Sequence, residues 1–312
     1  MDKFLHQPVL LQETIDLLCW RDDGLYVDCT LGAGGHSEAI LKKSPMTRVI
    51  GIDQDSEAIK AASKRLAPFG ERVIFVWDNF KNIDEILGKL DVPRVDGVLM
   101  DLGISSPQLD HKERGFSYQQ DAPLDMRMNQ ISGTITADTL VNNLTEEELA
   151  QIIYRYGEER WAARIAGFIV EERQKAPLKT TGQLVNIIRA AIPKKAREGK
   201  HHPAKKTFQA LRIAVNDELQ IIAPAMEAAA ERLSPGGRLA VISFHSLEDR
   251  IVKDTMRYLA KDCICPPGQA ICTCDKEQIL KPVNRKPLCA GAEELEANPR
   301  ARSAKLRVAE RV

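Results

Sequence analysis

The sequence predicts an α/β protein whose doubly wound parallel sheet is interrupted by a mostly helical insertion. Over residues 25–101, short apolar segments typical of buried strands alternate with helical patterns. A glycine-rich turn stands directly between the first strand and the next helix, as in nucleoside-binding βαβ units. The alternation then stops, and 145–220 contains no convincing strand pattern. A helical domain inserted between the fourth and fifth strands accounts for all three observations.

Composition sets limits on the class of protein. The 312 residues are 44% hydrophobic and 28% charged, which is typical of a globular domain or two, and their net charge of zero gives no indication of a nucleic-acid partner. No apolar stretch is long enough to span a membrane, and the first residues lack the pattern of a signal peptide. We therefore expect a cytoplasmic protein without a membrane partner. An odd number of cysteines, seven, argues against a disulfide framework.

The predicted elements follow in chain order from the apolar spacing. A helix is expected over 9–20, and residues 102–135, rich in Gly, Ser, Pro and Asp, are expected to form a loop. Strands are expected at 25–29, 48–53, 72–77, 95–101 and 237–244. The later helices are expected at 146–156, 158–174, 181–191 and 208–233. These elements predict three segments, namely a core part at 1–105, an inserted domain at 106–206, and a second core part at 207–312 with a basic C-terminal tail.

The glycine turn limits the choice of nucleoside ligand. Dinucleotide sites use Gly-x-Gly-x-x-Gly, whereas this turn has Gly32, Gly34 and then Ser37 in the third place. The missing third glycine disfavours an NAD-dependent dehydrogenase, for which no hydride-handling residues are evident either. S-adenosylmethionine has no pyrophosphate and needs only room beside the turn, donors for its carboxylate and an acid for its ribose. A glycine turn without any ligand is the structural alternative.

Two further strand ends carry candidate ligand groups. Asp53 ends the second strand, where its carboxylate could accept hydrogen bonds from both ribose hydroxyls. Asp78 ends the third strand and could accept from an adenine amino group, while Phe80 could pack on the ring. A core position is the alternative for Phe80.

The loop that leaves the fourth strand is the most unusual segment. Amino-directed methyltransferases commonly carry a proline-containing polar tetrad at this position. An exocyclic base amine is a poor nucleophile because its lone pair is delocalised, so acceptors that hold its hydrogens are needed to localise and aim that pair. We predict this catalytic role for Asp101, Ser105, Ser106, Pro107 and Gln108. Gln108 replaces the usual aromatic residue, so a stacking ring would come from Phe116 or Tyr118.

Positive charge is concentrated in one segment. From Arg173 to Arg212 there are eleven Lys or Arg and one acid. A solvated loop is one explanation, and an anion-binding surface is the other. Under the second, RNA phosphates are bound by Lys194, Lys195, Arg197, Lys200, Lys205 and Lys206, and by Arg300 and Arg302 of a second basic run. A non-catalytic RNA-binding protein would also explain these residues, although it would not explain a cofactor site.

Four cysteines and one histidine remain. Cys263, Cys265, Cys272 and Cys274 could form a zinc site, although one-residue spacing within each pair is shorter than usual, and reduced thiols or a redox-dependent disulfide stay open. His245 could touch substrate or serve as a structural hydrogen-bonding group.

Several longer motifs resemble the RsmH/MraW methyltransferase family and run nearly end to end. They are Asp-Leu-Gly-Ile-Ser-Ser-Pro-Gln-Leu-Asp (101–110), Glu-Arg-Gly-Phe-Ser (113–117), Pro-Leu-Asp-Met-Arg-Met (123–128), Tyr-Gly-Glu-Glu-Arg (156–160), Thr-Phe-Gln-Ala-Leu-Arg-Ile (207–213), Ile-Ser-Phe-His-Ser-Leu-Glu-Asp-Arg (242–250) and Asn-Pro-Arg-Ala-Arg-Ser (298–303). The resemblance implies a Rossmann-like class I S-adenosylmethionine-dependent methyltransferase sheet with a helical insertion. It also implies N4-methylation of a cytidine in 16S rRNA at the decoding centre, in the P-site region of the small subunit.

The same resemblance implies the cofactor contacts and the partners. The family's cofactor-binding residues correspond here to Gly34, Gly35, His36, Asp53, Phe80, Asp101 and Gln108. The expected partner is 16S rRNA or the small ribosomal subunit, and a homodimer stays open.

Overall fold

The computed structural model describes residues 8–105, 108–109, 111–131, 135–197, 202–269 and 271–312. The chain divides into two compact units. The first unit combines Met1–Gly103 with Leu219–Val312, and the second is Ile104–Glu218. The second unit is therefore a continuous segment that interrupts the first.

The first unit contains a seven-stranded sheet. Its strands are β1 Leu25–Asp28, β2 Arg48–Asp53, β3 Val73–Trp77, β4 Val95–Asp101, β5 Leu233–Ser243, β6 Leu280–Pro282 and β7 Lys305–Arg311. Their order is β3-β2-β1-β4-β5-β7-β6. The first five strands in that order are parallel, and β7 runs antiparallel to both of its neighbours. The predicted doubly wound α/β sheet is confirmed.

Helices cover both faces of this sheet. Those before β4 are α1 Leu11–Leu18, α2 Gly35–Lys43, α3 Ser56–Leu66 and α4 Ile83–Lys89. Successive strand residues point to opposite faces, and Val49 and Ile50 accordingly belong to different hydrophobic clusters. One cluster contains residues of α4, and the other contains residues of α1, α2 and α3. The central strands β1, β2 and β4 are thus buried on both sides, which explains their nearly continuous apolar sequences.

The second unit is helical. Its helices are α5 Ala137–Asn143, α6 Glu146–Gly157, α7 Ala162–Lys175, α8 Thr181–Ala191, α9 Lys194–Arg197 and α10 Lys205–Asn216. Thr145 and Thr180 begin α6 and α8 with reciprocal capping boxes, which satisfy free backbone N–H groups at each helix start. An apolar core from these helices holds the unit together.

The long helix predicted over 208–233 is wrong in its continuity. It is two helices, α10 and α11 Ile222–Arg232. Asp217 adopts the left-handed conformation, with φ 52°, and ends α10. The predicted boundary between 206 and 207 also differs from the observed division at Glu218. The reason is that Phe208 and Leu211 of α10 are buried in the core of the second unit.

The predicted basic tail is a strand of the sheet. The last helices are α12 Ser246–Leu259 and α13 Ala292–Ala297, and β7 follows them. Lys305 and Arg307 of β7 each lie 2.8 Å from a carboxylate oxygen of Asp249. These two cations therefore neutralise an acid of the first unit. In the described part of the chain, no helix is long and apolar enough to cross a membrane.

Candidate cofactor site

Three aspartates end neighbouring parallel strands of the first unit. Asp28 ends β1, Asp53 ends β2 and Asp101 ends β4. Burial raises the pKa of Asp28 to about 6 and the pKa of Asp53 to about 7. Burial also raises the pKa of Asp101 well above its usual value, helped by the negative charges of Asp28 and Glu248. Carboxyls with perturbed pKa values at the carboxyl edge of a parallel sheet mark a candidate ligand site.

The glycine turn takes the path expected of a ligand-binding turn. Gly34 has φ 79°, a conformation that favours glycine, and its N–H donates to the Leu31 carbonyl at 2.8 Å. Gly35 is the first residue of α2, and a Cβ there would clash with Cγ of Pro8. Local geometry therefore requires both glycines, and the first turn of α2 opens at the edge where the acids lie.

Asp53 fastens this turn to the second strand. Its Oδ2 accepts from the Gly32 N–H at 2.8 Å, and its Oδ1 accepts from the Asp55 N–H at 2.9 Å. A carboxylate offers about four acceptor sites, so acceptor capacity remains for two more donors. This is the capacity that a ribose diol needs.

Asp101 contains a buried polar atom without a hydrogen-bond partner among the described residues. Its N–H donates to Oγ1 of Thr30 at 2.7 Å, which ties β4 to the glycine turn. Its Oδ2 lies 3.7 Å from Nδ1 of His36, whose Nε2 is 3.1 Å from the Val9 carbonyl. Oδ1 of Asp101 is buried and has no hydrogen-bond partner in the described part of the chain. A buried acceptor without a partner costs free energy, so this oxygen points to a donor supplied by a ligand.

Sequence reasoning missed Asp28, whose environment also explains Ser37. The hydroxyl of Ser37 donates to Oδ2 of Asp28 at 2.7 Å, and the Thr30 N–H donates to Oδ1 at 3.2 Å. Ser37 is completely buried, so the position of the missing third glycine has room for a side chain that anchors α2 to β1. An acid ending an apolar strand was the available signal.

The end of β3 fits the same edge. The Asp78 N–H donates to the Asp53 carbonyl at 3.1 Å, and Oδ1 of Asp78 accepts from Asn79 N–H and Asn82 Nδ2. Phe80 is half-buried and packs against the core. The ring therefore has a structural role, and its contact with adenine stays a prediction.

The predicted catalytic loop lies in both units. Ser105 and Gln108 belong to the second unit, where the Ser105 N–H donates to Oε1 of the buried Gln108 at 3.1 Å. Ser106 and Pro107 lie outside the described residues.

Phe116 is buried in the core of the second unit, which leaves Tyr118 as the candidate stacking residue. The Tyr118 ring stacks on His202 with centroids 4.7 Å apart.

The predicted RNA-binding residues differ in their surroundings. Lys194, Lys195 and Lys205 are exposed, and no described carboxylate lies within ion-pair distance of them. Lys206 donates to the Glu158 carbonyl at 2.8 Å, and Arg197 is half-buried. Lys200 lies outside the described residues. The remaining two, Arg300 and Arg302, are exposed on a short 3₁₀ helix of the first unit.

His245 has a structural role at the start of α12, and its contact with substrate stays a prediction. It precedes α12, and its Nδ1 accepts from the Glu248 N–H at 3.4 Å. The buried Glu248 reciprocates, because its Oε2 accepts from the backbone N–H groups of Phe244 and His245 at 2.7 and 3.2 Å. This capping box explains why the His-Ser-Leu-Glu motif follows β5.

A glycine turn after β1 and acids at the ends of β1, β2 and β4 are typical of nucleoside-binding α/β enzymes. Within that class, the chain belongs to the MraW methylase family, which it matches over residues 3–312. It is a methyltransferase with a Rossmann-like class I sheet, and the predictions of this fold and of S-adenosylmethionine as cofactor are confirmed.

Relatives agree with this assignment over nearly their whole length. The ribosomal RNA small subunit methyltransferase H of Symbiobacterium thermophilum is 56% identical over 97% of this chain and 96% of its own. The protein of the same name from Clostridioides difficile is 55% identical over 99% and 100%. A solved rRNA methylase from Streptococcus thermophilus covers 99% of both chains with 12% identity and a TM-score of 0.43, which does not bear on the assignment.

Proposed function

We propose that this protein methylates the exocyclic N4 amine of a cytidine in 16S rRNA, at the decoding centre in the P-site region of the small subunit. Family membership and relatives at 55–56% identity support small-subunit rRNA methylation as the broader activity. The observation that carries the site is the buried, unpartnered Oδ1 of Asp101, at the same edge as Asp53.

The residues of the first unit fit S-adenosylmethionine. Asp53 keeps acceptor capacity for a ribose diol, and Gly34, Gly35 and His36, at the start of α2, would hold the methionine end of the cofactor. Phe80 would pack on the adenine ring. When bound, the cofactor supplies an electrophilic methyl group on its sulfonium sulfur.

The loop from Asp101 to Gln108 positions the amine. In this proposal Asp101, Ser105, Ser106, Pro107 and Gln108 are the residues whose acceptors would hold the amine hydrogens and aim its lone pair, and Asp101 Oδ1 is a buried acceptor without a partner among the described residues. Held by this loop, the amine would attack in line with the bond from sulfur to methyl that the bound cofactor would supply, and that bond would break as the new C–N bond forms. The methylated amine then loses a proton to water, so no dedicated general base is required.

The second unit would bind the RNA. Lys194, Lys195 and Lys205 are exposed cations on a continuous insertion, well suited to phosphates. The target base must be splayed out of its stack for the chemistry. A cytoplasmic location belongs to this proposal because the substrate is there, and a homodimer stays a prediction.

Methyl transfer with an isotopically labelled cofactor tests the proposal. Free 16S rRNA and 30S subunits lacking the modification are incubated with the protein, digested to nucleosides and analysed by mass spectrometry. We expect labelled N4-methylcytidine with the wild type, and at least about 100-fold less with Asp101→Asn, which replaces one carboxyl oxygen with an amide NH₂ group that cannot accept a hydrogen bond. Label on another base or at cytosine C5 would contradict the proposal, as would no transfer by a protein that binds the cofactor.

A further inference from the structure

The connection between α12 and β6 is a long loop that contains four cysteines. Its ends are tied together, because the Ile279 N–H donates to the Leu259 carbonyl at 2.9 Å. Between them, the described residues form neither helix nor strand. Loops longer than about 12–15 residues without secondary structure are uncommon in compact domains. An interaction other than backbone pairing must therefore stabilise the conformation of this loop.

Hydrophobic burial does not stabilise this loop around its cysteines. Ile264 and Ile271, the large apolar residues nearest the cysteines, are 44% and 76% exposed. Cys263 and Cys272 are exposed and Cys265 and Cys274 half-buried, so the four thiols do not converge in an apolar core. Their convergence needs another cause.

The four sulfur atoms nevertheless form a compact group. Sγ of Cys272 lies 3.7 Å from Cys263, 3.9 Å from Cys265 and 3.5 Å from Cys274. Cys274 lies 3.8 Å from Cys263, and all four sulfurs are within 4.8 Å of one another. A tetrahedral Zn²⁺ with Zn–S bonds of about 2.3 Å has sulfurs about 3.8 Å apart. A disulfide instead requires about 2.05 Å, far less than any of these distances.

Backbone donors point at the same sulfurs. The N–H groups of Ile264, Cys265 and Thr273 lie 3.4, 3.4 and 3.5 Å from Sγ of Cys274, Cys263 and Cys265. Four thiolates around one divalent ion carry a net negative charge, and N–H donors directed at the sulfurs offset it. The turn at Pro266–Pro267–Gly268 brings the two pairs together despite their one-residue internal spacing.

We propose that Cys263, Cys265, Cys272 and Cys274 bind one Zn²⁺ as a closed, structural Cys₄ site. The four ligands fill the tetrahedron, so the ion has no open position for catalysis. On binding, the thiols lose their protons to solvent and the ion cross-links the loop. The site would shape the α12–β6 connection.

Elemental analysis tests this directly. The untagged protein is expressed with zinc in the medium, purified without chelator and passed over a desalting column. We expect about one zinc per chain for the wild type, and for Cys289→Ser, which removes an exposed thiol outside the group. The double variant Cys263→Ser/Cys272→Ser should contain less than about a tenth of that.

Wild-type protein provides a second test that does not depend on how the variants fold. After a thiol reagent and chelator remove the metal and reductant restores the thiols, Co²⁺ should bind at about one equivalent with the intense visible bands of tetrahedral thiolate coordination. Zinc should then displace it and protect the flanking Lys261 and Lys276 from trypsin. Metal-free protein with four freely titrating thiols would overturn the proposal, as would a mass lowered by disulfides or stoichiometric iron in place of zinc.

Discussion

At the scale of single residues, Asp53 shows how one side chain can serve both fold and ligand. Its two oxygens hold the glycine turn and the start of α3 through Gly32 and Asp55. Its position at the end of β2 was predictable from the sequence, because an acid after an apolar strand is a local pattern. Its two backbone contacts were not, since they depend on how the turn closes on a neighbouring strand.

Replacing Asp53 by Asn should weaken S-adenosylmethionine binding. The amide keeps the shape but loses charge-assisted hydrogen bonds worth about 1.5–3 kcal/mol, which corresponds to about 10- to 100-fold in Kd. Isothermal titration calorimetry measures the change. Asp84→Asn is the matched control, because Asp84 is exposed on α4 and pairs only with Arg232 among the described residues. Unchanged affinity in Asp53→Asn would refute the ribose role.

The raised pKa of Asp53 makes cofactor binding depend on pH. Burial raises this pKa from 3.8 to about 7 in the cofactor-free protein. The folded protein thus retains a proton that the unfolded chain loses, so the contribution of Asp53 to stability falls as pH rises from about 4 to about 7. Ribose hydroxyls donate to the ionised form, so affinity should rise between about pH 6 and about pH 8.

Titration calorimetry in buffers of different ionisation enthalpy should show proton release on binding near pH 6. Asp28 and Asp101 also have raised pKa values, so the informative quantity is the difference between wild type and Asp53→Asn. Identical pH profiles for the two proteins would contradict the assignment.

At the scale of elements, β1, the turn and α2 act as one unit through a buried hydrogen bond. Ser37 in the first turn of α2 donates to Asp28 at the end of β1. The missing third glycine was visible in the sequence and disfavoured a dinucleotide. The hydrogen bond from Ser37 to Asp28 was not visible, because it joins two elements that are separate in the sequence.

Ser37→Ala should therefore destabilise the first unit. It removes a donor from a buried carboxylate, at a cost of about 1–3 kcal/mol, or about 2–4 °C in Tm for each kcal/mol. Ser63→Ala on α3 is the control, since that exposed hydroxyl contacts only the Lys60 carbonyl among the described residues. Thermal unfolding followed by circular dichroism compares them, and equal Tm values would show that the hydrogen bond contributes nothing.

β7 shows why an element can be missed. Its charged residues suggest a solvated tail when read along the chain, yet Leu306 and Val308 alternate with them and are buried. The period of two is the strand signal, and the partners of its cations lie in α12 and α11, at Asp249 and Glu231. Sequence order does not reveal such neighbours.

At the scale of the whole molecule, an insertion adds a helical unit to a methyltransferase sheet. The break in alternation after β4 predicted the insertion. The predicted C-terminal end of the insertion differs from the observed one because α10 and α11 are both amphipathic helices. Only Asp217 and Glu218 lie between the end of α10 and Leu219, where the first unit resumes.

Charge reversal in the second unit should weaken RNA binding without affecting the cofactor. Lys194→Glu/Lys195→Glu removes two cations, so RNA affinity should fall about tenfold or more and the slope of log K against log salt should decrease by about 1.5. Lys175→Glu is the control, because Lys175 is equally exposed but already pairs with Glu172. Filter binding across a salt series measures both. Equal losses in the two proteins would mean that the basic segment is only a solvated surface.

The identity of the methylated atom is the central property of the proposed activity. Mass mapping of 16S rRNA from cells with and without this protein tests it most directly, with a complemented strain carrying Asp101→Asn as the reference. We predict one decoding-centre cytidine that bears an N4-methyl group only when the wild-type protein is present. An unchanged modification pattern, or loss of a methyl group from any other atom, would contradict the account.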